Sequence, residues 1–370
     1  MPNLNFSPYL AVLPNLIAAF IFGLLLTPIL RIIGLKFGFS TKPKEESAPD
    51  ERGNVTKHHK TTTSRLAEFA MLIPLLVLMC GNLNLTTQIF GIVLGIISVA
   101  IMGAFDSKYH LSEFVKLYIL VLSSILVIFT GTYIIPSELF GFNIPDLYFM
   151  NPLTQSEISV LGIIISLVWL VVIPTALSYV GGVDGLAEGT SAIAILILLL
   201  IGIRNGDIIT ITIGTLCLGG LLGLLPYNFY PAVIFSEHLL YGYVIAILSI
   251  ISKGKLSTSL LILAIPLIDF IYIASYRIRK YYKENKKFSV RKILNYLGTG
   301  DRNHLHHKLM DLGLNAVQIS LLQYSAYAVL GFLALAVSGL HLTIAILGSA
   351  GLIVLIFYYI NLRIQKTNAG

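Results

Sequence analysis

The amino-acid sequence predicts an all-α, polytopic integral membrane bundle of about eleven transmembrane helices. Of the 370 residues, 56% are hydrophobic and 12% are charged. Soluble chains are about 45–50% apolar and about 25% charged. The apolar runs extend over roughly 16–25 residues, which suits helices better than the roughly 10-residue strands of a membrane barrel. Lipid is therefore the predicted solvent, and every backbone polar group must be paired internally.

Eleven apolar segments are interpreted as spans, and ten spans with one re-entrant piece are the alternative. In order, the segments are 9–33, 66–81, 87–105, 115–135, 158–180, 189–204, 207–225, 237–252, 257–276, 317–338 and 342–362. The first is too long for the core of a signal peptide and follows no basic region, so we expect it to be retained. Residues 1–370 are predicted to form a single transmembrane domain. Cys80 and Cys217 both lie in apolar runs, which favours unpaired cysteines.

Lysine and arginine residues are concentrated in alternate loops. The loop 34–65 carries seven of them and the loop 277–316 carries ten, and twenty of the twenty-five lie on one side of the predicted membrane. Positive loops mark the cytoplasmic side, so the N-terminus is predicted outside and the C-terminus inside. The net charge of +7 is assigned to this topology and not to nucleic-acid binding. The loops predicted to carry function on the cytoplasmic side are 34–65, 106–114, 181–188, 226–236 and 277–316.

A histidine-rich motif, "DRNHLHHKL", begins at Asp301. It places His304, His306 and His307 beside Arg302 and Lys308, and such donors can hold phosphate oxygens through charge-assisted hydrogen bonds. A basic loop that contacts anionic lipid is an equally open interpretation. A metal site is less favoured, because no set of carboxylates or cysteines completes it.

Three aspartates lie at or near the ends of apolar spans. In "SYVGGVDGLAEG", glycines beside Asp184 allow close backbone approach to a ligand, but a tight turn with Asp184 capping the next helix is the simpler interpretation. In "GAFDSKYHLS", Asp106 ends one span and Lys116 begins the next, where a capping role is again the alternative. Asp269 lies inside "IPLIDFIY", a costly position that predicts a functional or paired group.

Taken together and in chain order, these motifs resemble those of the polyprenyl-phosphate N-acetylhexosamine-1-phosphate transferases. The resemblance covers about residues 35–314. "DRNHLHHKL" matches the HxHH element, and "GAFDSKYHLS" followed by Lys116 is similar to GxxDDxxxLS...K. "KHHKTTTSRLAE" from Lys57, "TALSYVGGVDGLAEG" from Thr175 and "PYNFYPAVIFSEHLLYG" from Pro226 are similar to KxHxxPxPRxGG, NxxNxxDGxDGLxxG and YNxxPAxIFMGDxGSLFxG.

The resemblance implies transfer of a sugar-1-phosphate from a UDP-N-acetylhexosamine to polyprenyl (undecaprenyl) phosphate, with release of UMP. It implies a site facing the cytoplasm at the plasma membrane and a place in cell-envelope polysaccharide or peptidoglycan synthesis. A homodimer or heterodimer is the implied assembly, with no nucleic-acid partner, and Mg²⁺ or Mn²⁺ is the implied cofactor. The implied substrate-binding residues are Lys57, His59, Arg65, Lys116, Asp184, Phe235, Arg302, His304, His306 and His307, with Asp184 and Phe235 around the uracil.

The positions at which the family binds metal carry other residues in this chain. They are Ser107 for the second Asp of the pair, Thr175 and Ser178 for two Asn, Gly181 for the following Asp, and Glu237 and His238 for Gly-Asp. In the first loop, Ala67 and Glu68 stand where the family motif has a Gly pair. Asp106 is the acid that remains, so Asp106, Glu237 and His238 are the predicted catalytic and metal-binding residues. Histidine is a poor Mg²⁺ ligand but suits Zn²⁺ or Mn²⁺.

Three functional hypotheses follow from this combination. The first is an active transferase with an altered metal site. The second is a catalytically inactive relative that binds a UDP-sugar or a lipid phosphate, or that partners an active homologue. The third, a transporter, is disfavoured because the polar groups gather at one face and not at the bilayer midplane. Whether the chain catalyses a reaction is left open at this point.

Overall fold

The computed structural model describes residues 11–41, 62–136, 145–252, 256–284, 289–298 and 302–369, which form a helical bundle. Its helices are α1 Leu13–Phe37, α2 Phe69–Met79, α3 Thr87–Tyr109, α4 Glu113–Phe129, α5 Val160–Val180, α6 Leu186–Asn205, α7 Ile208–Asn228, α8 Leu239–Ile251, α9 Leu256–Ile262, α10 Ala264–Glu284, α11 Val290–Leu297, α12 Leu305–Asp311, α13 Ala316–Ala336 and α14 Gly339–Ala369. The strands are β1 Ser40–Thr41, β2 Thr63–Ser64, β3 Tyr148–Met150 and β4 Glu157–Ser159.

The two short strand pairs are a difference from the all-α prediction. The strands β1 and β2 are antiparallel, with Ser40 opposite Ser64, and β3 and β4 are antiparallel, with Phe149 opposite Ile158. The strands β1 and β2 lie on either side of the first long loop, and β3 and β4 form a hairpin shortly before α5. Pairing satisfies backbone groups that no helix covers there, and strands of two or three residues leave almost no alternating pattern to detect in the sequence.

Each of the eleven predicted spans coincides with a helix or a bent helix pair, but the helices differ in length. Seven helices of the described ranges are long and apolar enough to cross a membrane, or eight if the pair α9–α10, bent by 74°, is one span. The helices α2 and α8 have 11 and 13 residues. At 1.5 Å per residue they reach about 16–20 Å, whereas a bilayer core is about 30 Å thick. Apolar composition therefore located the helices without distinguishing complete spans from shorter core helices.

Helix α8 lies in the centre of the bundle. Its residues from Leu240 to Leu248 are all buried, including the bulky Tyr241 and Tyr243. It packs against α3, α5 and α6, and its Gly242 lies against the backbone of Pro174 in α5. A helix that is apolar on all sides is expected in such a core.

The polar loops meet at one end of the bundle. The amide of Phe235 donates to the carbonyl of Ser64 at 2.7 Å, and the amide of Ala67 donates to the carbonyl of Phe235 at 3.0 Å. These bonds join the segment before α2 to the segment before α8. The hydroxyl of Ser107, near the end of α3, also lies 3.5 Å from the carbonyl of Arg65. Residues far apart in the chain are thereby brought to one site.

Candidate active site

The first group of polar side chains contains an ion pair between the two joined loops. Arg65 Nη2 lies 2.5 Å from Glu237 Oε1, and Arg65 Nη1 donates to Thr41 Oγ1 at 3.2 Å. The pair is mostly buried, with side-chain exposures of 10% and 20%. Glu237 therefore neutralises a predicted substrate-binding arginine, and its carboxylate is held by that contact.

A second ion pair lies at the junction of α3 and α4. Lys116 Nζ is 3.4 Å from Asp106 Oδ2 and 2.6 Å from Glu113 Oε1. The Ser112 hydroxyl accepts from the Val115 amide and caps α4, which fixes the helix end that presents Lys116. The structure thus brings together the predicted Asp106 and Lys116, with Glu113 as an additional acid that the motif comparison did not single out.

A third acid, Glu68, lies between these two ion pairs in the carboxylate region, which we define as Glu68, Asp106 and Glu237 with Arg65 and Lys116. Glu68 is 1% exposed, and neither carboxylate oxygen has a hydrogen-bond partner among the described residues. Burial and the Glu237 carboxylate raise the pKa of Glu68 well above its ordinary value, against the lowering effect of Arg65. The carboxylate packs on Gly103 of α3, where a Cβ atom would overlap it.

Another acid, Glu188, contacts the predicted metal ligand His238. Its Nδ1 lies 3.2 Å from Glu188 Oε1 and 3.0 Å from the Ser236 hydroxyl, which itself lies 3.3 Å from Glu188. The ring fills the space beside Gly181, where a Cβ atom would overlap it. The two substitutions at Gly181 and His238 are therefore sterically coupled: the missing side chain at one position makes room for the larger one at the other.

The histidine region, defined as Asp269, Arg277, His304, His306 and His307, lies on the other side of Gly181 and Gly182. His304 Nδ1 is 3.0 Å from Asp269 Oδ2, and His304 Nε2 is 3.2 Å from Arg277 Nη2. A guanidinium group can only donate, so Nε2 accepts and Nδ1 carries the proton that is donated to Asp269. Asp269 also accepts the Leu305 amide at 3.0 Å. The costly aspartate predicted from the sequence is thus a paired group that orients His304.

His306 and His307 stack beside His304. The ring of His306 lies 5.4 Å from that of His304 and 4.3 Å from that of His307. A Cβ atom at Gly182 would overlap His306, so the glycine turn is required for this close approach. Burial lowers the pKa of His306 well below its ordinary value, and His307 and His304 lower it further. His306 is therefore a neutral hydrogen-bonding group near pH 7.

The remaining predicted substrate-binding residues have several different positions. Asp184 does not cap α6, because its Oδ2 accepts the Ala232 amide at 2.9 Å and so joins two site loops. Phe235 is buried and meets the His238 ring edge-on at 5.3 Å. Arg302 is half exposed and pairs with Asp311 at 2.6 Å. The predicted residues Lys57 and His59 lie outside the described residues.

Comparison with known proteins gives a consistent result. The model of glycosyl transferase family 4 matches residues 89–253, which include Asp106, Asp184, Glu237 and His238. The match covers somewhat less than half of the chain and shows a similarity to this family. A "Probable undecaprenyl-phosphate N-acetylglucosaminyl 1-phosphate transferase" of Bacillus subtilis (strain 168) is 27% identical over 314 residues, which cover 81% of this chain and 79% of the relative.

Two mycobacterial relatives carry the description "Decaprenyl-phosphate N-acetylglucosaminephosphotransferase". The protein of Mycolicibacterium smegmatis is 23% identical over 340 residues, 82% of this chain and 76% of the relative. The protein of Mycobacterium leprae is 27% identical over 199 residues, 46% of this chain and 47% of the relative. The similarity therefore extends well beyond the matched family segment in two of the three relatives.

The donor atoms of the site allow a test of the divalent cation that the resemblance implies. No three His, Cys, Asp or Glu side chains of the described ranges are arranged to hold a metal ion. Magnesium, however, is commonly held by one or two carboxylates, waters and substrate phosphates and not by an all-protein cage. The carboxylate of Glu68, whose oxygens have no hydrogen-bond partner among the described residues, and the carboxylate of the nearby Asp106 are hard donors of that kind. The residues fit Mg²⁺ or Mn²⁺ shared with a phosphate, while a metal-binding role for Glu237 and His238 stays a prediction.

Several residues of this site were missed or unassigned in the sequence comparison. Glu188 lies within "DGLAEG", but a single acid in a motif gave no sign that it would meet His238. Arg277 was counted only as a basic loop residue, and its contact with His304 depends on how α10 runs past α12. Lys308, which we grouped with the phosphate donors, is instead buried between Tyr272 and Asn361, at 2.9 and 2.7 Å.

Proposed function

We propose that this protein is a membrane transferase that moves N-acetylhexosamine-1-phosphate from a UDP-sugar to polyprenyl phosphate, undecaprenyl phosphate being the first acceptor to test. The observation that carries the proposal is the convergence of four motif loops at one end of the bundle: those of Arg65, Asp106, Asp184 and Glu237. The Bacillus subtilis relative, similar over most of both chains, supports the same reaction class.

The proposed reaction needs groups that handle negative charge. A phosphate oxygen of the lipid attacks the sugar-bearing phosphorus of the UDP-sugar, a new P–O bond forms, and the P–O bond to UMP breaks. Arg65 and Lys116 supply positive charge for the phosphates, and Glu237 and Asp106 hold these two side chains in place. A bound Mg²⁺ or Mn²⁺ would neutralise charge that develops on the phosphate oxygens.

The histidine region would position the sugar-phosphate part of the donor. His304 has a fixed tautomer, since Asp269 accepts from one ring nitrogen and Arg277 donates to the other. His306, being neutral, would donate or accept a hydrogen bond without adding charge. Rigid, oriented groups reduce the entropy lost when a substrate is held for reaction. This role is therefore one of orientation, and charge compensation falls to the carboxylate region.

An inactive UDP-sugar-binding or lipid-phosphate-binding protein, alone or with an active homologue, is the second candidate. The specific observation in its favour is that Asp106 and Glu237 already contact protein cations, and His238 contacts Glu188. A site that neutralises its own acids holds a metal ion less tightly, because the ion must compete with Lys116 and Arg65. The UDP-sugar-binding form of this candidate differs from the first candidate in turnover and not in nucleotide binding.

One assay with full-length protein in detergent distinguishes the two candidates. UMP release from UDP-N-acetylglucosamine is followed with undecaprenyl phosphate and with Mg²⁺ or Mn²⁺. The transferase predicts metal-dependent release that falls by about 100-fold or more in Asp106→Asn. The matched control, Asp146→Asn, changes an aspartate at the other end of the bundle and keeps the wild-type rate.

The alternative outcomes of this assay are also informative. No UMP release, together with UDP-N-acetylglucosamine binding that is lost in His306→Ala, supports the inactive candidate. If UMP release and UDP-N-acetylglucosamine binding are both absent, the transferase and the UDP-sugar-binding form of the second candidate are both contradicted. The His306→Ala protein must first show a wild-type far-ultraviolet circular dichroism spectrum, because this buried ring also packs against Gly182.

We also propose the finer topology: eleven spans, the N-terminus outside, and the site facing the cytoplasm at the plasma membrane. The supporting observation is the charge asymmetry of the loops, with ten Lys and Arg residues between 277 and 316. A periplasm-active phosphatase fused after residue 370 should be inactive, and one inserted in the 136–157 loop should be active. Dimerisation is a separate prediction of the resemblance, tested by mass photometry of the purified protein.

A further inference from the structure

The feature that the proposed reaction leaves unexplained is the carboxylate of Glu68. It is 1% exposed, and both of its oxygens lack a hydrogen-bond partner in the described part of the chain. Burying even a neutral polar group without a partner costs about 1–3 kcal/mol, and an unpaired charge costs more. Other buried acids of the site, such as Glu188 and Asp106, do have protein contacts. In the folded protein, the carboxylate of Glu68 therefore requires either a ligand or a proton.

The contact with α3 shows which way the Glu68 side chain points. Its carboxylate lies against Gly103, and only a residue without a Cβ atom leaves that space. Asp106 and Ser107 follow Gly103 by three and four residues, and these spacings put side chains on one face of a helix. Asp106 and Glu237 also interact electrostatically with Glu68. Glu68 therefore faces the same surface of α3 that carries Asp106.

The neighbouring Ser107 shows what is missing from that surface. Its hydroxyl lies 2.9 Å from the Gly103 carbonyl and 3.5 Å from the Arg65 carbonyl, so it faces the segment 65–68. The resemblance assigns an aspartate to position 107 and a glycine to position 68. In this chain a carboxylate is lost on α3 and another is gained directly across the same interface. The two changes conserve the number of acids facing each other there.

We propose that Glu68 replaces the missing aspartate and forms, together with Asp106, the carboxylate pair that holds a divalent cation at this site. The proposal rests on the transferase function proposed above and adds a residue to it. The described side chains around the pair comprise more acids than cations: Glu68, Asp106, Glu113 and Glu237 against Arg65 and Lys116. A divalent cation would balance this excess, and two carboxylates are enough for Mg²⁺ when phosphate and water complete its shell.

The test measures Mn²⁺ binding directly and without turnover. Full-length wild-type protein in detergent is titrated with Mn²⁺, and the free ion is quantified by room-temperature electron paramagnetic resonance. The variants are Glu68→Gln, which keeps the shape of the side chain, and Glu157→Gln, a glutamate in β4 at the other end of the bundle. We expect Glu68→Gln to weaken Mn²⁺ binding by about 10-fold or more and Glu157→Gln to leave it unchanged.

A reciprocal exchange separates ligation from a structural role. The double variant Glu68→Gln/Ser107→Asp returns a carboxylate to the opposite side of the interface, so it should recover Mn²⁺ affinity to within about 3-fold of wild type, close to the scatter of a single interaction. If Glu68 had only a structural role, an aspartate at position 107 would not restore the Mn²⁺ affinity. Wild-type affinity in Glu68→Gln, or no recovery in the double variant, would overturn the proposal.

The same proteins keep this inference distinct from the proposed function. If the wild type releases UMP and Glu68→Gln binds Mn²⁺ normally, the transferase stands and the role of Glu68 is wrong. If the wild type binds no Mn²⁺, the role of Glu68 is wrong whatever the turnover. Unfolding temperatures measured in chelator verify that the Glu68→Gln protein is folded, because an amide in this buried position removes a charge and fills the same volume.

Discussion

The histidine region and the carboxylate region lie on opposite sides of the Gly181–Gly182 turn and are built differently. In the histidine region, Asp269, His304 and Arg277 form a chain in which each donor meets an acceptor. In the carboxylate region, two ion pairs flank Glu68, whose oxygens have no hydrogen-bond partner among the described residues. The chain of Asp269, His304 and Arg277 is paired within the protein, whereas the carboxylate region contains an acid that needs a further partner.

This difference indicates which part of the site depends on a ligand. A buried polar network is stabilising when every member is satisfied and costly when one is not. The chain of Asp269, His304 and Arg277 can therefore be rigid before substrate arrives, while the carboxylate region gains its last partner on binding. None of the departures from the family motifs falls on the histidines of the HxHH element, whereas Glu68 and Glu237 of the carboxylate region are both departures. Changes at the first region should reduce stability, and changes at the second should depend on pH and metal.

The largest effect is expected when the complete network is broken with Asp269→Ala. The change leaves the His304 ring and the Leu305 amide without their acceptor, which should cost about 3 kcal/mol of unfolding free energy. Chemical denaturation in detergent measures it. The control Asp311→Ala removes the exposed partner of Arg302 and should cost less than about 1 kcal/mol. Equal losses of unfolding free energy in both variants would contradict a stabilising role for the hydrogen-bonded chain of Asp269, His304 and Arg277.

A smaller effect is expected when the turn between the regions is filled with Gly181→Ala. The new methyl group would overlap the His238 ring, so the ring must leave Glu188, at a cost of about 2 kcal/mol. The control is Gly348→Ala, a helical glycine with open space around it, which should be neutral or slightly stabilising. Thermal unfolding compares the two, and an unchanged Gly181→Ala midpoint would mean that His238 is not fixed by this contact.

The smallest effect on stability is expected for Glu68→Gln in the absence of metal. The wild-type carboxyl group can bind a proton and so avoid the cost of a buried, unpaired charge. The pKa of Glu68 is raised in the folded protein, so the folded state holds the proton more tightly than the unfolded chain. Wild-type stability should then fall as the pH rises above 4.5, the ordinary value, until the folded pKa is passed.

The amide in Glu68→Gln cannot ionise, so its unfolding temperature should lack this decline and exceed that of the wild type at pH 8. Below pH 4.5 the two proteins should converge. Adding Mn²⁺ at pH 8 should raise the wild-type unfolding temperature and leave that of Glu68→Gln nearly unchanged. A wild type that is as independent of pH as the variant would contradict the buried, unpaired state of Glu68.

The sequence located the helices well and the site residues in part. Hydrophobic runs identified each long helix, since burial in lipid or in the core imposes apolar composition over a continuous segment. The motifs identified Arg65, Asp106, Lys116 and the histidines, which the structure brings to one end of the bundle. Glu188 and Arg277 were not identified from the sequence. Glu188 contacts His238, which lies 50 positions away, and Arg277 contacts His304, which lies 27 positions away. Contacts over such separations leave no local pattern in the sequence.

The amino-acid sequence by itself predicted a membrane helical bundle, a resemblance to a transferase family, and the positions at which this chain departs from the motifs of that family. These properties depend on composition and on short motifs that can be compared directly. Only the tertiary structure decided which substitutions belong together: His238 occupies the space left at Gly181, and Glu68 faces the α3 surface where Ser107 stands. The physical reason is that space and charge are shared across packed elements, so the meaning of one substitution depends on the residue that lies opposite it.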